Sequence, residues 1–514
     1  MEERSKNSIG RAVIAALGFF LQVAWIIFQA YKIHDYYPIT SGIVKMISII
    51  IVLRIYGRHT NAAIKIPWMV LLLVFPITGI ILYILFIGRG SLYFTKKKFR
   101  NIIGQLSNKL NSDDKILKRL KKEDPGVYGQ TYYISKTGGY PSYEGCQVEY
   151  YPEADEGIEA QKIELRKAEK FIFMEYHAIE DSVSFRKIEE ILEEKAKEGV
   201  DVRILYDDMG SIGFIGKSFR ERLAKKGIRC SVFNPMLPLL NVFMNNRDHR
   251  KITVIDGKVA FTGGYNIADR YFNINSPYGH WKDTGVMIKG KAVDSFTVMF
   301  LEMWYAINHK DMETEEVEDF INISKVVYPN AKGIVHPYAE NPLIEEQLAE
   351  NIYLNIAKNA KDYLYIMTPY LLIDDNTNDE LVAAAKRGVD VRIITPGIPD
   401  KKFVYSMTRS YYGALVRGGV RIYEYTPGFI HAKQHISDDD IAAVGTINMD
   451  YRSLYLHFEN GVLLHGMDAI DDIKKDFIET LEASTEVTEK YHNTNRTTPM
   501  RITQCLLRFF APLL

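Results

Sequence analysis

Two stretches of the 514-residue chain carry the same chemically capable side chains at the same spacing. The first, DHRKITVIDGKVAFTGGYNIADRY, contributes His249, Lys251, Asp256, Gly263, Gly264 and Asn266. The second, IHAKQHISDDDIAAVGTINMDYRS, contributes His431, Lys433, Asp438, Gly445, Thr446 and Asn448. Both read H-x-K-x4-D-x6-G-[GT]-x-N, at an offset of 182 residues. A His and a Lys two apart on a strand point to one face. An ammonium beside an imidazole makes a poor metal site, because it repels the cation and the ring must stay neutral to ligate. The same pair makes a good phosphate site: Lys supplies charge, Asn an amide donor, and Gly close backbone approach. Two such sets facing each other divide the labour of phosphoryl transfer. One neutral imidazole attacks phosphorus while the other, protonated, donates to the leaving oxygen. Asp256 and Asp438 lie beyond four intervening residues from their lysines and read equally as structural or catalytic. His435, where the first copy has Thr253, shares the His431/Lys433 face. It reads either as an extension of a proton path or as a buried, hydrogen-bonded histidine.

The elements that must position these residues are themselves repeated. AKEGVDVRI at 196–204 recurs as AKRGVDVRI at 385–393, and GIRCSVFNP at 227–235 has its counterpart in GVRIYEYTP at 419–427. In each copy a charged helical stretch ends at Gly and an alternating β-branched strand follows, the usual stop and start signals. Upstream lie two more apolar strands, FIFMEYH (171–177) and YLYIMTPY (363–370). Strand–helix–strand order in both copies predicts an α/β fold in each of two related halves. The first half carries ten extra residues before His249, and they include the apolar MLPLLNVFM (236–244). That insert reads as a membrane-facing lip or as ordinary core packing.

Hydrophobic residues at 47% and charged residues at 25% exclude a largely disordered chain. The net charge of zero hides an asymmetry: residues 1–100 hold thirteen Lys/Arg against three Asp/Glu, leaving −10 on residues 101–514. A negative main body argues against a nucleic-acid partner. The positive end flanks apolar sequence, as membrane anchors do. Residues 12–30 and 66–87 are each long enough to span ~30 Å of hydrocarbon, with a kink expected at Pro76 and Gly79. A third candidate, 43–56, is interrupted by Lys45 and Arg54. The basic run Arg89–Arg100 places the rest of the chain on the cytoplasmic side, although Arg54, Arg58 and Lys65 fall in a loop that two spans would put outside. Three scattered cysteines, Cys146, Cys230 and Cys505, build neither a disulfide framework nor a zinc site. The expected organisation is a membrane anchor (1–100), a linker (101–134), a first domain (135–328), a second domain (329–495) and an amphipathic tail (496–514). Within that tail, 500–514 alternates Arg501 and Arg508 with bulky apolar residues, as interfacial helices do.

At the paired H-x-K motifs the chain resembles the phospholipase D superfamily, with two HKD motifs. EGVDVRILYDDMGS, HWKDTG, IMTPYLLIDD, GTINMDYRSLYLHFENG and the tail RFFAPLL are most similar to those of bacterial cardiolipin synthases. The resemblance implies two duplicated α/β/α sandwich domains with the active site between them. It implies a phosphatidyltransferase that joins two phosphatidylglycerol molecules into cardiolipin and releases glycerol through a phosphohistidine, without metal or other cofactor. The family nucleophile falls on His249 and the general acid/base on His431, although the motifs alone do not say which His attacks. Lys251, Lys433, Asn266 and Asn448 are then expected on the phosphate oxygens, with Gly264 and Thr446 beside them. Asp283 in WKDTG and Glu459 in HFENG match the acidic residues that orient the imidazoles. A phospholipase D, a phosphatidylserine synthase and, more distantly, an HKD nuclease are the alternatives within the superfamily.

Overall fold

The computed structural model describes residues 38–58, 60–87, 89–110, 114–216, 218–235, 246–344 and 346–492, together with Ala24, Phe28, Arg508, Phe509 and Ala511. The expected span 12–30 (Ala24 and Phe28 aside), the insert 236–244 and most of the tail 500–514 lie outside the described residues.

The first half provides strands β1 (Gln147–Tyr151), β2 (Phe171–Tyr176), β3 (Asp201–Asp207), β4 (Arg229–Phe233), β5 (Arg247–Asp248), β6 (Lys251–Ile255), β7 (Val259–Gly263), β8 (His280–Lys282) and β9 (Gly285–Lys289). The second provides β10 (Ile334–Glu340), β11 (Tyr363–Met367), β12 (Asp390–Pro396), β13 (Arg421–Tyr425), β14 (Gly428–Ile430), β15 (Gln434–Ser437), β16 (Ile441–Gly445), β17 (His457–His465) and β18 (Ser484–Glu486). One sheet runs β1-β9-β7-β6-β2-β3-β4 and the other β10-β17-β16-β15-β11-β12-β13-β18. Apart from β18, the two orders correspond strand for strand, which is the duplication expressed in space. In each, three strands run parallel (β2, β3, β4; β11, β12, β13) and the hairpin carrying the motif runs antiparallel beside them.

The repeated helix–Gly–strand segments behave as their sequence predicts. Helix Val183–Lys197 buries Phe185, Ile188 and Leu192, and Gly199 (φ 91°) turns the chain into β3. Helix Asp375–Lys386 and Gly388 (φ 98°) do the same before β12. Only glycine enters that left-handed region freely. Each half packs one sheet face into its own outer core, Ile172, Ile204 and Phe261 in the first and Ile366, Ile393 and Ala443 in the second. The opposite faces share one central core, where Phe173, Ile252 and Val286 meet Met367, Val444 and Val462 around helix Val293–Ile307. Phe173 and Phe300 stack there at 4.6 Å, and each buried aromatic contributes roughly 1.5–3 kcal/mol by leaving water. The halves are thus joined through a common apolar layer.

Two expectations require correction. The apolar run 66–87 is not one helix but two, Ala62–Val74 and Pro76–Ile87, broken at Phe75 (φ −127°, ψ 71°). Pro76 lacks an N–H and drives the preceding residue out of helical geometry. A Cβ on Gly79 would stand 2.8 Å from the Leu72 Cα, so glycine lets the second helix fold back closely on the first. Helices of 13 and 12 residues extend only ~20 and ~18 Å. No described helix is long and apolar enough to cross a membrane. Residues 101–134, expected as a linker of helical character over 101–124, are mostly helical but pack into the body of the protein. Ile102, Leu106 and Leu110 enter the central core, and Ile116 and Leu120 pack against Ile334.

Candidate active site

Each motif histidine is positioned by the opposite half. The short strand β5 pairs in parallel with the start of β17, Arg247 opposite His457 and Asp248 opposite Phe458, and the His249 N–H donates to the Phe458 carbonyl at 2.8 Å. In the same way β14 pairs with β8, and the His431 N–H donates to the Lys282 carbonyl at 2.7 Å. One residue beyond each of those carbonyls lies an acid. His249 Nδ1 is 2.8 Å from both carboxylate oxygens of Glu459, and His431 Nδ1 is 2.5 Å from Asp283 Oδ2. Both acids, which the resemblance implies at the imidazoles, lie against them crosswise. The first half's acid holds the second half's histidine, and the reverse. All four side chains are buried.

The difference between G-G and G-T in the two motifs follows from this exchange. A Cβ on Gly264 would fall 2.0 Å from Asp283 Oδ1 and 3.0 Å from the His431 carbonyl, so only a hydrogen fits. The longer Glu459 leaves room at the corresponding position, and the Thr446 hydroxyl donates to its Oε2. Lys251 Nζ donates to its own motif's His249 carbonyl at 2.6 Å, and Lys433 Nζ donates to the His431 carbonyl and lies 2.6 Å from His431 Nδ1. Asn266 accepts from the Ala178 N–H at 3.0 Å and donates to the Tyr271 hydroxyl at 2.8 Å. Asn448 Oδ1 is buried without a partner among the described residues.

Asp256 and Asp438 do not join this group. Both adopt left-handed backbone (φ 53° and 56°) at the far end of the motif hairpin. The Asp256 carboxylate accepts the N–H groups of Glu169, Lys170 and Phe171, and that of Asp438 accepts those of Lys361, Asp362 and Tyr363. They fasten the entry to β2 and β11. His435 stacks on Tyr353 at 3.9 Å, and neither ring nitrogen has a hydrogen-bond partner among the described residues. Of the reading as a buried, hydrogen-bonded histidine, the burial holds and the hydrogen bonding does not, among the described residues.

Burial governs the electrostatics. It is the main cause holding His431 down to about 3 and His249 well below the ordinary imidazole range, with Lys433 and Lys251 respectively adding repulsion. It also lowers Lys251 to about 8 and Lys433 to about 7, and raises Glu459 well above a normal carboxyl. Without substrate both imidazoles are therefore neutral, and an entering phosphodiester supplies the negative charge that makes an imidazolium and two ammonium groups favourable.

Two histidines at the site were missed from sequence. His177, at the end of β2, lies edge-on to His249 at 4.8 Å and its Nδ1 is fixed by the Asp248 carbonyl at 2.8 Å. His457 lies 5.5 Å from His249, and its Nδ1 is 3.5 Å from Glu459 Oε1. The signal for His457 was its two-residue spacing from Glu459 on one strand face. Ligand atoms of His249, His457 and Glu459 lie within 4.8 Å of one another, the geometry of a metal triad. The chemistry fits poorly, since Lys251 faces both His249 and Glu459 and the His249–Glu459 hydrogen bond already engages two of the three groups. Tyr271 and Trp281 wall the other imidazole, 5.4 and 5.2 Å from His431.

Residues 162–304 and 353–481 match the family described as "Cardiolipin synthase, PLD-like domain", and residues 46–88 match the phospholipase D-nuclease N-terminal family. An uncharacterized protein of Streptococcus mutans is 42% identical over 467 residues, spanning 90% of this chain and 99% of that one. Cardiolipin synthase 2 of Bacillus cereus is 34% identical, spanning 90% and 89%, and the cardiolipin synthase of Geobacillus kaustophilus is 31% identical, spanning 91% and 92%. The fold is shared with the phosphatidylserine synthase of Haemophilus influenzae, with a TM-score of 0.53 at 15% identity over 71% of this chain and 93% of that one. The chain belongs to the cardiolipin synthase family of PLD-like proteins.

Proposed function

We propose that the protein is a membrane-bound phosphatidyltransferase that condenses two phosphatidylglycerol molecules into cardiolipin and glycerol. The reading rests above all on the crosswise His249–Glu459 and His431–Asp283 pairs, which make one site out of two motifs. Each acid engages Nδ1 and so leaves Nε2 of each ring for the substrate. His249 Nε2 attacks the phosphorus of the first lipid, forming a P–N bond. The P–O bond to the headgroup glycerol breaks, and His431, protonated, gives its proton to the departing oxygen. The headgroup hydroxyl of a second lipid then loses its proton to His431 and attacks phosphorus, and the P–N bond breaks. Lys251 and Lys433 meet the charge on the non-bridging oxygens throughout, aided by Asn266 and Asn448.

Membrane attachment is supported by the surface of residues 43–84. Met46, Ile50, Leu53, Val70, Leu73 and Val74 are all exposed there, an apolar density unusual on a water-facing surface. Lipid covering this surface holds the protein at the membrane, with its sandwich domains on the cytoplasmic side. Purified protein supplied with phosphatidylglycerol alone is expected to yield cardiolipin and glycerol in equal amounts, and His249→Asn and His431→Asn each to abolish turnover without unfolding. Predominant phosphatidic acid would make it a hydrolase. Product formed only from a nucleotide-activated lipid and serine would make it a phosphatidylserine synthase.

A further inference from the structure

A cavity of about 750 Å³ lies where the N-terminal helices meet the second half. None of His249, Lys251, His431, Lys433, Asn266 or Asn448 lines it. Its floor is a fixed polar network. Asn61 caps helix Ala62–Val74 through the Ala63 N–H, while its amide donates to Asp374 Oδ2 and to the Tyr455 hydroxyl, both at 2.7 Å. Tyr455 in turn donates to Glu350 Oε2 at 2.7 Å. The other oxygen, Glu350 Oε1, is buried with no partner among the described residues, on a side chain only 7% exposed. Burial and Asp374 together raise Glu350 to about 7. Arg58, Lys65 and Arg508 contribute three cations to the lining, with Lys65 Nζ donating to the Arg58 carbonyl at 3.0 Å and Arg508 lying over the Tyr411 ring at 4.1 Å. The wall also includes Ile66, the first of the exposed apolar residues that continue through Val70, Leu73 and Val74 along the same helix.

The lining combines cations for a phosphate, an unpartnered buried acceptor for a hydroxyl, and an apolar exit for acyl chains. We infer that this cavity is a second, non-catalytic site for a glycerophospholipid with a hydroxylated headgroup, the phosphate on Arg58 and Lys65 and a headgroup hydroxyl donating to Glu350 Oε1. A hydroxyl can donate the hydrogen bond that this buried oxygen lacks among the described residues.

The test is native mass spectrometry of the full chain in detergent, in a His249→Asn background so that lipid is bound without turnover. Phosphatidylglycerol should be retained, and Arg58→Ala/Lys65→Ala should remove one bound lipid from the count, with at least about a tenfold loss of affinity at that step. Glu350→Gln keeps the side-chain shape and the Tyr455 hydrogen bond. It should weaken phosphatidylglycerol several-fold and leave phosphatidic acid unchanged, so it carries the test should the double variant fail to fold. An unchanged lipid count in a folded double variant would overturn the site. Equal retention of phosphatidylcholine would overturn the headgroup assignment, and displacement by inorganic phosphate at matched concentration would reassign the site to free phosphate. Because the readout is binding to an inactive variant, its failure is separate from any failure of the catalytic reading.

Discussion

The crosswise pairing makes a prediction that separates the two chemical steps. Asp283 is fully buried, and its Oδ1 accepts the Thr284 N–H at 3.0 Å while Oδ2 faces His431 Nδ1. In Asp283→Asn that backbone donor fixes the amide oxygen at the Oδ1 position and turns the amide nitrogen toward His431. The amide N–H then donates to Nδ1 and forces the ring proton onto Nε2, the atom that must accept a proton from the second lipid. Glu459→Gln does the same to His249, since the Thr446 hydroxyl holds the Oε2 position as oxygen; here the misplaced proton blocks attack itself. A wrong tautomer together with loss of a charge-assisted hydrogen bond removes most of the 10²–10⁴-fold supplied by acid–base catalysis, or about 2.7–5.4 kcal/mol of barrier at 1.36 kcal/mol per decade. Turnover of detergent-dispersed phosphatidylglycerol should fall by that factor in both variants, with melting curves confirming the fold. Rapid quench and intact-protein mass spectrometry should then find phosphatidyl-enzyme accumulating in Asp283→Asn and absent in Glu459→Gln. The opposite pattern would move the nucleophile to His431. Retention of more than roughly a tenth of wild-type kcat by both folded variants would refute the orienting role altogether.

Two further outcomes follow from the same geometry. Asp256→Ala removes an acceptor from three backbone N–H groups, so chemical denaturation should show a loss of about 3 kcal/mol while turnover per folded molecule stays near wild type; a folded but inactive variant would return Asp256 to the chemistry. For pH, kcat/KM reports the free enzyme. The nucleophile His249, held well below the ordinary imidazole range, stays neutral below pH 6.5, whereas Lys433 and Lys251, lowered to about 7 and 8, lose their charge as pH rises through that range. Phosphate capture needs the protonated lysines, so kcat/KM should decline from about pH 7 upward with its acid limb displaced below 6.5, and a profile flat to pH 9.5 would show that the lysines keep their ordinary values.

What was legible in the sequence is what local chemistry controls. Alternating VDVRI segments became β3 and β12, and the glycines before them took the left-handed turns that β-strand entry required. The motif residues could be named because their types and spacings are themselves the chemistry, whereas Asp283 and Glu459 were named only through the family resemblance. The exchange between halves could not be read. β5 and β14 are only two and three residues long, and nothing in their sequence says that their partners are β17 and β8, more than 100 residues away. Packing was hidden where polarity dominated, and a helix end where proline did. The stretch 101–124 read as helical, but its mainly polar composition hid that Ile102, Leu106 and Leu110, at four-residue spacing, enter the central core. Pro76 was read as a kink, whereas Phe75 leaves helical geometry completely.

The duplication also explains how two nearly identical motifs come to do different work. A perfectly symmetric pair would give both imidazoles the same acid at the same distance, and neither would be marked as attacker or donor. The chain departs from symmetry where it matters most, in the residues that touch the acids. Asp283 is short and reaches His431 only because Gly264 has no side chain to block it. Glu459 is longer, bridges to His249 through both oxygens and is held by the Thr446 hydroxyl. Lys433 lies against its own imidazole nitrogen, whereas Lys251 donates to the His249 backbone carbonyl. His249 further meets two other imidazoles, His177 and His457, where His431 meets Tyr271 and Trp281. A ring in an aromatic wall beside an ammonium is suited to passing a proton to and from a lipid oxygen. A ring held by a two-oxygen acceptor among neutral imidazoles is suited to keeping its Nε2 lone pair for phosphorus. Duplication supplied two equivalent sites, and a Gly–Asp pair opposite a Thr–Glu pair made them unequal.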